Sequence, residues 1–525
     1  MKLKPFKKEK RSNKYKLTMI ILSSLAFIFL FIAIYQSFAA YNIKHSERIV
    51  DSKVGSMYDV RSMAIFIDGE PQPGMTDFPT DKRFSHVRCY VDGEFKENIT
   101  GVWENEALTI NGLTHKTDCN VYFVFDCIRG NITNLRECII AQNGGESAIV
   151  ARGTPDYSKS AVSQRIFDLI PTAGGTVSDH DGKHNISINY SARGNYEVSN
   201  GLFKTSSTIP GWTQDNFGLF SGTSATHEGG DSYYFRGDVR NNFVRFAGFW
   251  WRIIRIEGNG NIRLIYNGVV SGNNPPPWTG AGTEIGTRAF NSVPIANMST
   301  AHIGFKHGTT CTSTYAQCHA NQTNSTILGS PTTVGSLEHW YSNNIANKGT
   351  TVTSRIATNT IFCNDRNHAD SRYVNFGPRN STCYGSRARI ENNRPSLQCI
   401  NKTAAGLNPG LSTVLANHDQ FATPGSGNGT LLYPVGLITS DEAHMSGSRF
   451  ATGDNWLFNN RDQWTLSPWC HYFNEFANIH SITQQGSMSM SIIQDARSTR
   501  PVLSLRPDTL ITSGNGTREL PYIIN

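Results

Sequence analysis

The chain has 525 residues and a formal net charge of +7. The whole excess sits in residues 1–16, where Lys2, Lys4, Lys7, Lys8, Lys10, Arg11, Lys14 and Lys16 oppose only Glu9, so everything after residue 16 is balanced. A basic chain invites a nucleic-acid reading; here the charge is a topology signal, and no polyanion or nucleic-acid partner follows from it.

Residues 17–40, LTMIILSSLAFIFLFIAIYQSFAA, carry no charge. A bilayer core of roughly 30 Å needs about 20 apolar residues in a helix, and this run is long enough. A basic cytoplasmic tail at 1–16 before a transmembrane anchor at 17–40 sends the C-terminal bulk outside the cell by the positive-inside rule. A cleaved signal peptide ending near Ser37-Phe38-Ala39 is the competing reading. Both export the chain.

All ten cysteines follow this segment, and no C-x-x-C spacing occurs. In an oxidising compartment that pattern reads as disulfides and not as a metal or redox site. The candidates for structural bridges are Cys89, Cys119, Cys127, Cys138, Cys311, Cys318, Cys363 and Cys399, with Cys89–Cys119 the first pairing expected. No metal and no cofactor is implied.

Residues 59–126 hold short alternating runs, SMAIFIDG, HVRCYVDG, GVWENEALTING and DCNVYFVF, separated by turn residues. That spacing predicts a small β-sandwich, with Cys89, Trp103 and Cys119 on successive strands. Residues 127–230 read as a helical and polar connector. NLRECIIAQNGG predicts a short amphipathic helix stopped by Gly144-Gly145, and SAVSQRIFDLI at 160–170 a second one. DHDGKHN at 179–185 lacks the alternating oxygens and closing Glu of a calcium loop, and reads as a solvated turn.

Residues 231–525 read as one large α+β head domain, with insertions near 272–335 and 364–430. Its densest stretch is FVRFAGFWWRIIRI followed by NIRLIYNG, two strand-like runs joined by Glu257-Gly258-Asn259-Gly260, the chemistry of a tight turn. Apolar residues on both faces place this hairpin at the centre of its sheet. By the two-residue period Phe249, Trp251 and Ile253 share one face, with Trp250, Arg252, Ile254 and Ile256 on the other. Arg252 and Arg255 then need acidic or carbonyl partners inside the fold.

Several phrases occur together in one order: YYFRGDVRNNFVRFAGFWWRIIRI, IFCNDR at 361–366, YPVGLITSDE at 433–442, WTLSPW at 464–469, RPVLSL at 500–505 and the GNGT…PYII ending. In this the chain resembles a family of exported, membrane-anchored surface proteins of Gram-positive-type gut bacteria. Through W-x-x-S-P and R-P-V-x-S-L the head is similar to C-type-lectin-like folds and their formylglycine-generating relatives. The implied fold class is α+β and β-rich: an N-terminal transmembrane helix, a small β-sandwich, then a loop-rich C-type-lectin-like domain. The lectin Glu-Pro-Asn, Gln-Pro-Asp and Trp-Asn-Asp triplets are absent from this chain, so the resemblance implies a scaffold without its calcium site.

Catalytic motifs are sparse. Asp441 and Glu442, with His444 nearby, suggest an acid/base cluster, but glycosidase chemistry needs two carboxyls roughly 5–10 Å apart across a cleft. If their segment is helical, Thr439 or Ser440 caps it, with the carboxylates in the first turn. Asp365 beside Arg366 reads first as an ion pair bracing a loop and second as a ligand contact. Cys470-His471 is adjacent in sequence, but an exported cysteine favours oxidation over a catalytic thiol. Trp278, after three prolines, is the aromatic placed for an exposed contact, whereas Trp464 and Trp469 read as core. Convergence of Asp365, Asp441, Glu442 and Asp462 in one concave site would signal an enzyme.

The reading is a non-catalytic bacterial surface protein for adhesion or recognition of a glycan or protein ligand, with the membrane as its other partner. An exported hydrolase acting on glycans or cell wall is the first alternative, and a structural envelope protein the second.

Overall fold

The computed structural model describes residues 60–114, 116–162, 175–178, 185–188, 196–205, 226, 228–272, 274–294, 302–308, 323–364, 382–399, 420–423, 429–449, 455–471 and 476–525. They are β-rich with few helices and divide into two compact units at Gly130 and Asn131. The expected anchor at 17–40 lies outside the described residues, among which no helix is long and apolar enough to cross a membrane.

In the first unit β1 (Val60–Ile67), β2 (Glu70–Pro71), β3 (Lys82–Val91), β4 (Glu94–Phe95), β5 (Thr100–Glu104), β6 (Ala107–Asn111) and β7 (Thr117–Phe125) follow in order. Five of them form one sheet, β2-β1-β7-β3-β4, with β1 parallel and β3 antiparallel to β7. Alternation sets the faces. Met63, Ile65, Val87, Cys89, Cys119, Val121 and Phe123 turn inward to form the core, roofed by the β5–β6 hairpin.

Trp103 of that hairpin stands edge-on to Phe78 at 5.2 Å and to Phe123 at 5.3 Å, and stacks on Phe84 at 5.9 Å. The sandwich is lopsided, five strands under two. Cys89 and Cys119 are joined and face each other in register on neighbouring strands. Their bridge therefore lies within one sheet and does not tie two sheets together as in immunoglobulin domains.

The second unit is built on a seven-stranded sheet. Its main path runs Gly201–Thr205, Ser232–Arg236, Phe249–Ile256, Phe243–Phe246 and Tyr522–Ile523, while Ile262–Val269 pairs with Phe249–Ile256 on one side and Val502–Leu505 on the other. Every residue of Phe249–Ile256 is buried, which matches the central position expected from its two apolar faces.

Two details depart from the sequence reading. The run FVRFAGFWWRIIRI is not one strand but a hairpin, Phe243–Phe246 and Phe249–Ile256, turning at Ala247 (φ 55°) and Gly248 (φ 80°). Register also shifts between Ile253 and Arg255, so Ile256 pairs with Ile262 and Arg255 with Arg263. The extra residue moves Ile256 to the face of Trp251 and Ile253, and brings Arg255 beside Arg263.

Helix Leu135–Gln142 forms where its pattern predicts it. Asn134 caps it, Oδ1 accepting from Glu137 N at 3.1 Å, and Gly144 sits at φ 90° just past its end. A second short helix, Gly145–Ala151, then starts at once. Leu135 N donates to Thr509 O, and Ile511 N to Thr133 O, so this stretch is part of the second unit and not a free connector. Ser160–Val162, expected to open a helix, is a strand parallel to Tyr196–Val198; residues 163–170 lie outside the described set, as do 179–184.

A six-stranded sheet completes the unit, running Thr287–Ala289, Ala496–Ser498, Gln463–His471, Ala477–Ile482 and Met488–Ile492, with Thr382–Cys383 paired to Gln463–His471. Trp464 is buried against Phe290 at 5.5 Å and donates from Nε1 to Arg288 O at 2.8 Å.

Candidate functional site: a buried charge cluster and an amide-lined groove

Asp441 and Glu442 lie in the first turn of helix Ser440–Met445. Thr439 is its cap, its Oγ1 accepting from Glu442 N at 3.1 Å while Glu442 Oε2 accepts from Thr439 N at 3.0 Å, a complete capping box. The two carboxylates then take different partners. Asp441 accepts a two-pronged contact from Arg389 of helix Gly385–Glu391 and a third bond from Ser396 N at 2.8 Å. Glu442 Oε1 lies 2.8 Å from Arg255 Nε and 2.9 Å from Arg263 Nε. The strand bulge allows this sharing, because it sets the two arginines opposite one another.

The cluster extends through the core. Glu228 Oε1 accepts from Arg255 Nη2 at 3.1 Å. Glu257 Oε1 accepts from Arg263 Nη1 at 3.2 Å, Thr360 Oγ1 at 2.6 Å and Ser504 Oγ at 2.8 Å. Burial pushes the Glu442 carboxyl up, yet Arg263 and Arg255, with the Thr439 N–H, outweigh it and hold the group below its ordinary range. Asp441 and Glu442 both line a small, partly open pocket of about 30 Å³ with Glu228, Arg255, Arg263 and Arg389, room for about one water. Arg255 Nη1, Arg263 Nη2 and Glu228 Oε2 have no hydrogen-bond partner among the described residues. Asp441 and Glu442 are thus clamped by arginines and packed, and do not face each other across an open cleft.

The remaining sequence candidates are dispersed. Asp462 pairs with Arg497 and accepts from Gln484 N at 2.8 Å; it shares no partner with Asp441 or Glu442. Asp365 lies outside the described residues. Trp278 is half-buried, edge-on to Phe243 at 5.3 Å, with the guanidiniums of Arg518, Arg240 and Arg252 5.3, 5.6 and 6.0 Å from its ring. Its faces are occupied by cation–π packing.

Cys363 is joined to Cys399, and Cys383 to Cys470. Cys127 and Cys138 are disulfide-bonded as well. Cys311 and Cys318 lie outside the described residues. The bridge at Cys470 means that Cys470-His471 presents no thiolate.

One concave feature of ligand size had no sequence signal beyond turn chemistry. A groove of about 400 Å³ is lined by Asn259, Asn261, Ile356, Ala357, Thr358, Asn359, Arg506 and Pro507. Asn261 is buried and organises the two exposed asparagines. Its backbone N–H donates to Asn259 Oδ1 at 3.1 Å, and its Nδ2 donates to Asn359 Oδ1 at 3.0 Å and to Glu257 Oε2 at 3.1 Å.

These bonds settle which end of each amide points where. A carboxylate only accepts, so Asn261 must offer Glu257 its NH₂, and Asn359 must then offer Asn261 its oxygen. The NH₂ groups of Asn259 and Asn359 are left for a ligand, held from behind by the Glu257 cluster. Arg506 is neutralised in place, its Nε and Nη2 donating to Asp508 at 3.1 and 3.0 Å.

Comparison of the chain with protein-family models, with curated proteins and with solved structures found no match.

Proposed function

We propose that this is an exported surface protein, tethered by its N-terminal apolar segment, whose second unit recognises a ligand at the groove between Asn259 and Asn359. The observation that carries the reading is the pair of asparagine donors fixed from behind by one buried residue, Asn261, over a floor of Ile356 and Ala357. A site whose donors are already oriented loses little entropy on binding. Ligand clefts of about 300–1,000 Å³ with a few placed polar groups are the usual form of such sites. The carboxylates that a hydrolase would use are engaged by arginines in the core, which favours recognition over catalysis.

The test is binding of the full-length chain, in detergent, to intact cells and to matrix proteins and glycans. Thr358→Trp, placed at an exposed position in the groove, is expected to abolish binding and leave the melting temperature unchanged. Binding that survives Thr358→Trp would move the site elsewhere.

A further inference from the structure

The groove is lined by donors, and that composition narrows its ligand. Asn259 and Asn359 each have their side-chain oxygen engaged by Asn261, at 3.1 and 3.0 Å, so each presents hydrogens outward. Thr358 adds a hydroxyl on the same rim. A complementary ligand must therefore offer oxygen acceptors.

It need not offer charge. The lining holds one formal cation, Arg506, and Asp508 meets it with two bonds at 3.1 and 3.0 Å. An anionic ligand would gain no unpaired cation there, because the one guanidinium in the lining is already bonded to the Asp508 carboxylate. The floor of Ile356, Ala357 and Pro507 is small and apolar, suited to the C–H face of a ring and not to a large side chain.

We propose that the groove binds a neutral, hydroxyl-rich saccharide of mono- to disaccharide size, with the Asn259 and Asn359 NH₂ groups donating to its hydroxyl or ring oxygens. This rests on the recognition function proposed above and names its ligand class. Charge discrimination is assigned to Asp508, which acts through Arg506 and does not itself touch the sugar.

The experiment is an array of neutral di- and trisaccharides and their uronate- and sialate-bearing counterparts, probed with full-length chain, followed by calorimetric titration of the strongest neutral binder. Asn359→Asp keeps the oxygen that Asn261 needs and exchanges the outward NH₂ for an acceptor. It is expected to weaken the neutral saccharide at least tenfold with an unchanged melting temperature, and Asn259→Asp should do the same. Asp508→Asn frees Arg506 and should raise uronate binding relative to neutral sugar.

Binding restricted to acidic glycans, or neutral binding indifferent to both asparagine substitutions, overturns the proposal. Capture of a protein ligand, blocked by Thr358→Trp with no sugar bound, overturns the saccharide class alone. Loss of every ligand from cells, matrix and array overturns the recognition function with it.

Discussion

Arg389 and Asp441 meet as a parallel fork, Nε to Oδ1 and Nη2 to Oδ2, each at 2.8 Å, with both side chains buried. The pair locks helix Gly385–Glu391 to helix Ser440–Met445, 52 residues apart in sequence. Breaking a buried pair strands one charge, whereas replacing both members with apolar groups does not. Asp441→Ala should therefore lower unfolding stability by about 3–5 kcal/mol. Arg389→Met with Asp441→Leu should recover most of that loss in a urea double-mutant cycle. Equal instability of the single and double variants would show that the helices depend on the charges themselves.

His480 is fully buried, 4.7 Å from the Trp469 ring, and neither ring nitrogen has a hydrogen-bond partner among the described residues. Burial, helped by the Arg389 and Arg387 charges, pushes its pKa from 6.5 down to about 3. In the unfolded chain the imidazole takes up a proton as pH falls through 6.5, and the native state does not. Stability attached to this residue is thus present above pH 6.5 and is lost progressively down to about pH 3. His480→Phe should match wild type near pH 8 and exceed it at pH 5 by about 2 kcal/mol. Denaturant midpoints at the two pH values measure this; parallel pH profiles would mean that the native imidazole does protonate.

The turn at Ala247-Gly248 places both residues at positive φ, 55° and 80°, the geometry of a type I′ hairpin. Alanine pays for its Cβ in this region, and asparagine tolerates it better. Ala247→Asn should stabilise the second unit by about 0.5–1 kcal/mol, read as a higher melting temperature. Gly248→Ala should cost about 1 kcal/mol. A destabilising Ala247→Asn would mean that the methyl makes contacts the turn needs.

Local features were the ones legible in the sequence. The Asn134 cap, the alternation that buries Val121 and Phe123, and the double-sided burial of Phe249–Ile256 each depend on neighbouring residues. The Cys89–Cys119 bridge was legible too, since both cysteines sit on inward positions of adjacent strands. The expectation that Arg252 and Arg255 find partners inside the fold also holds. Arg252 bonds to Asn242 and Val239 O, and Arg255 to Glu442 and Glu228.

Partner identity was not legible. Glu442 lies 187 residues from Arg255, and Ser504 lies 247 from Glu257; no local pattern encodes such pairs. The bulge after Ile253 adds one residue to a strand whose spelling looks regular, and so reverses the face of Ile256. The groove draws on three separate segments, 259–261, 356–359 and 506–507. In sequence Asn259 belongs to a turn, and nothing local marks Asn359 as its companion.

The central sheet also sets a schedule for the chain as it is made. Ile262 pairs with Leu505, and Val244 with Tyr522, so Ile262–Val269 and Phe243–Phe246 emerge roughly 240 to 280 residues before the strands that flank them. At about 5–20 residues per second that is a wait of roughly ten to fifty seconds. Throughout it Ile262–Val269 has an unfilled edge and the aromatic, β-branched composition that drives strand-to-strand aggregation. Arg263 then acts before the late strand arrives: a charge interrupting the otherwise apolar start of Ile262–Val269 makes it a poorer template for a second chain.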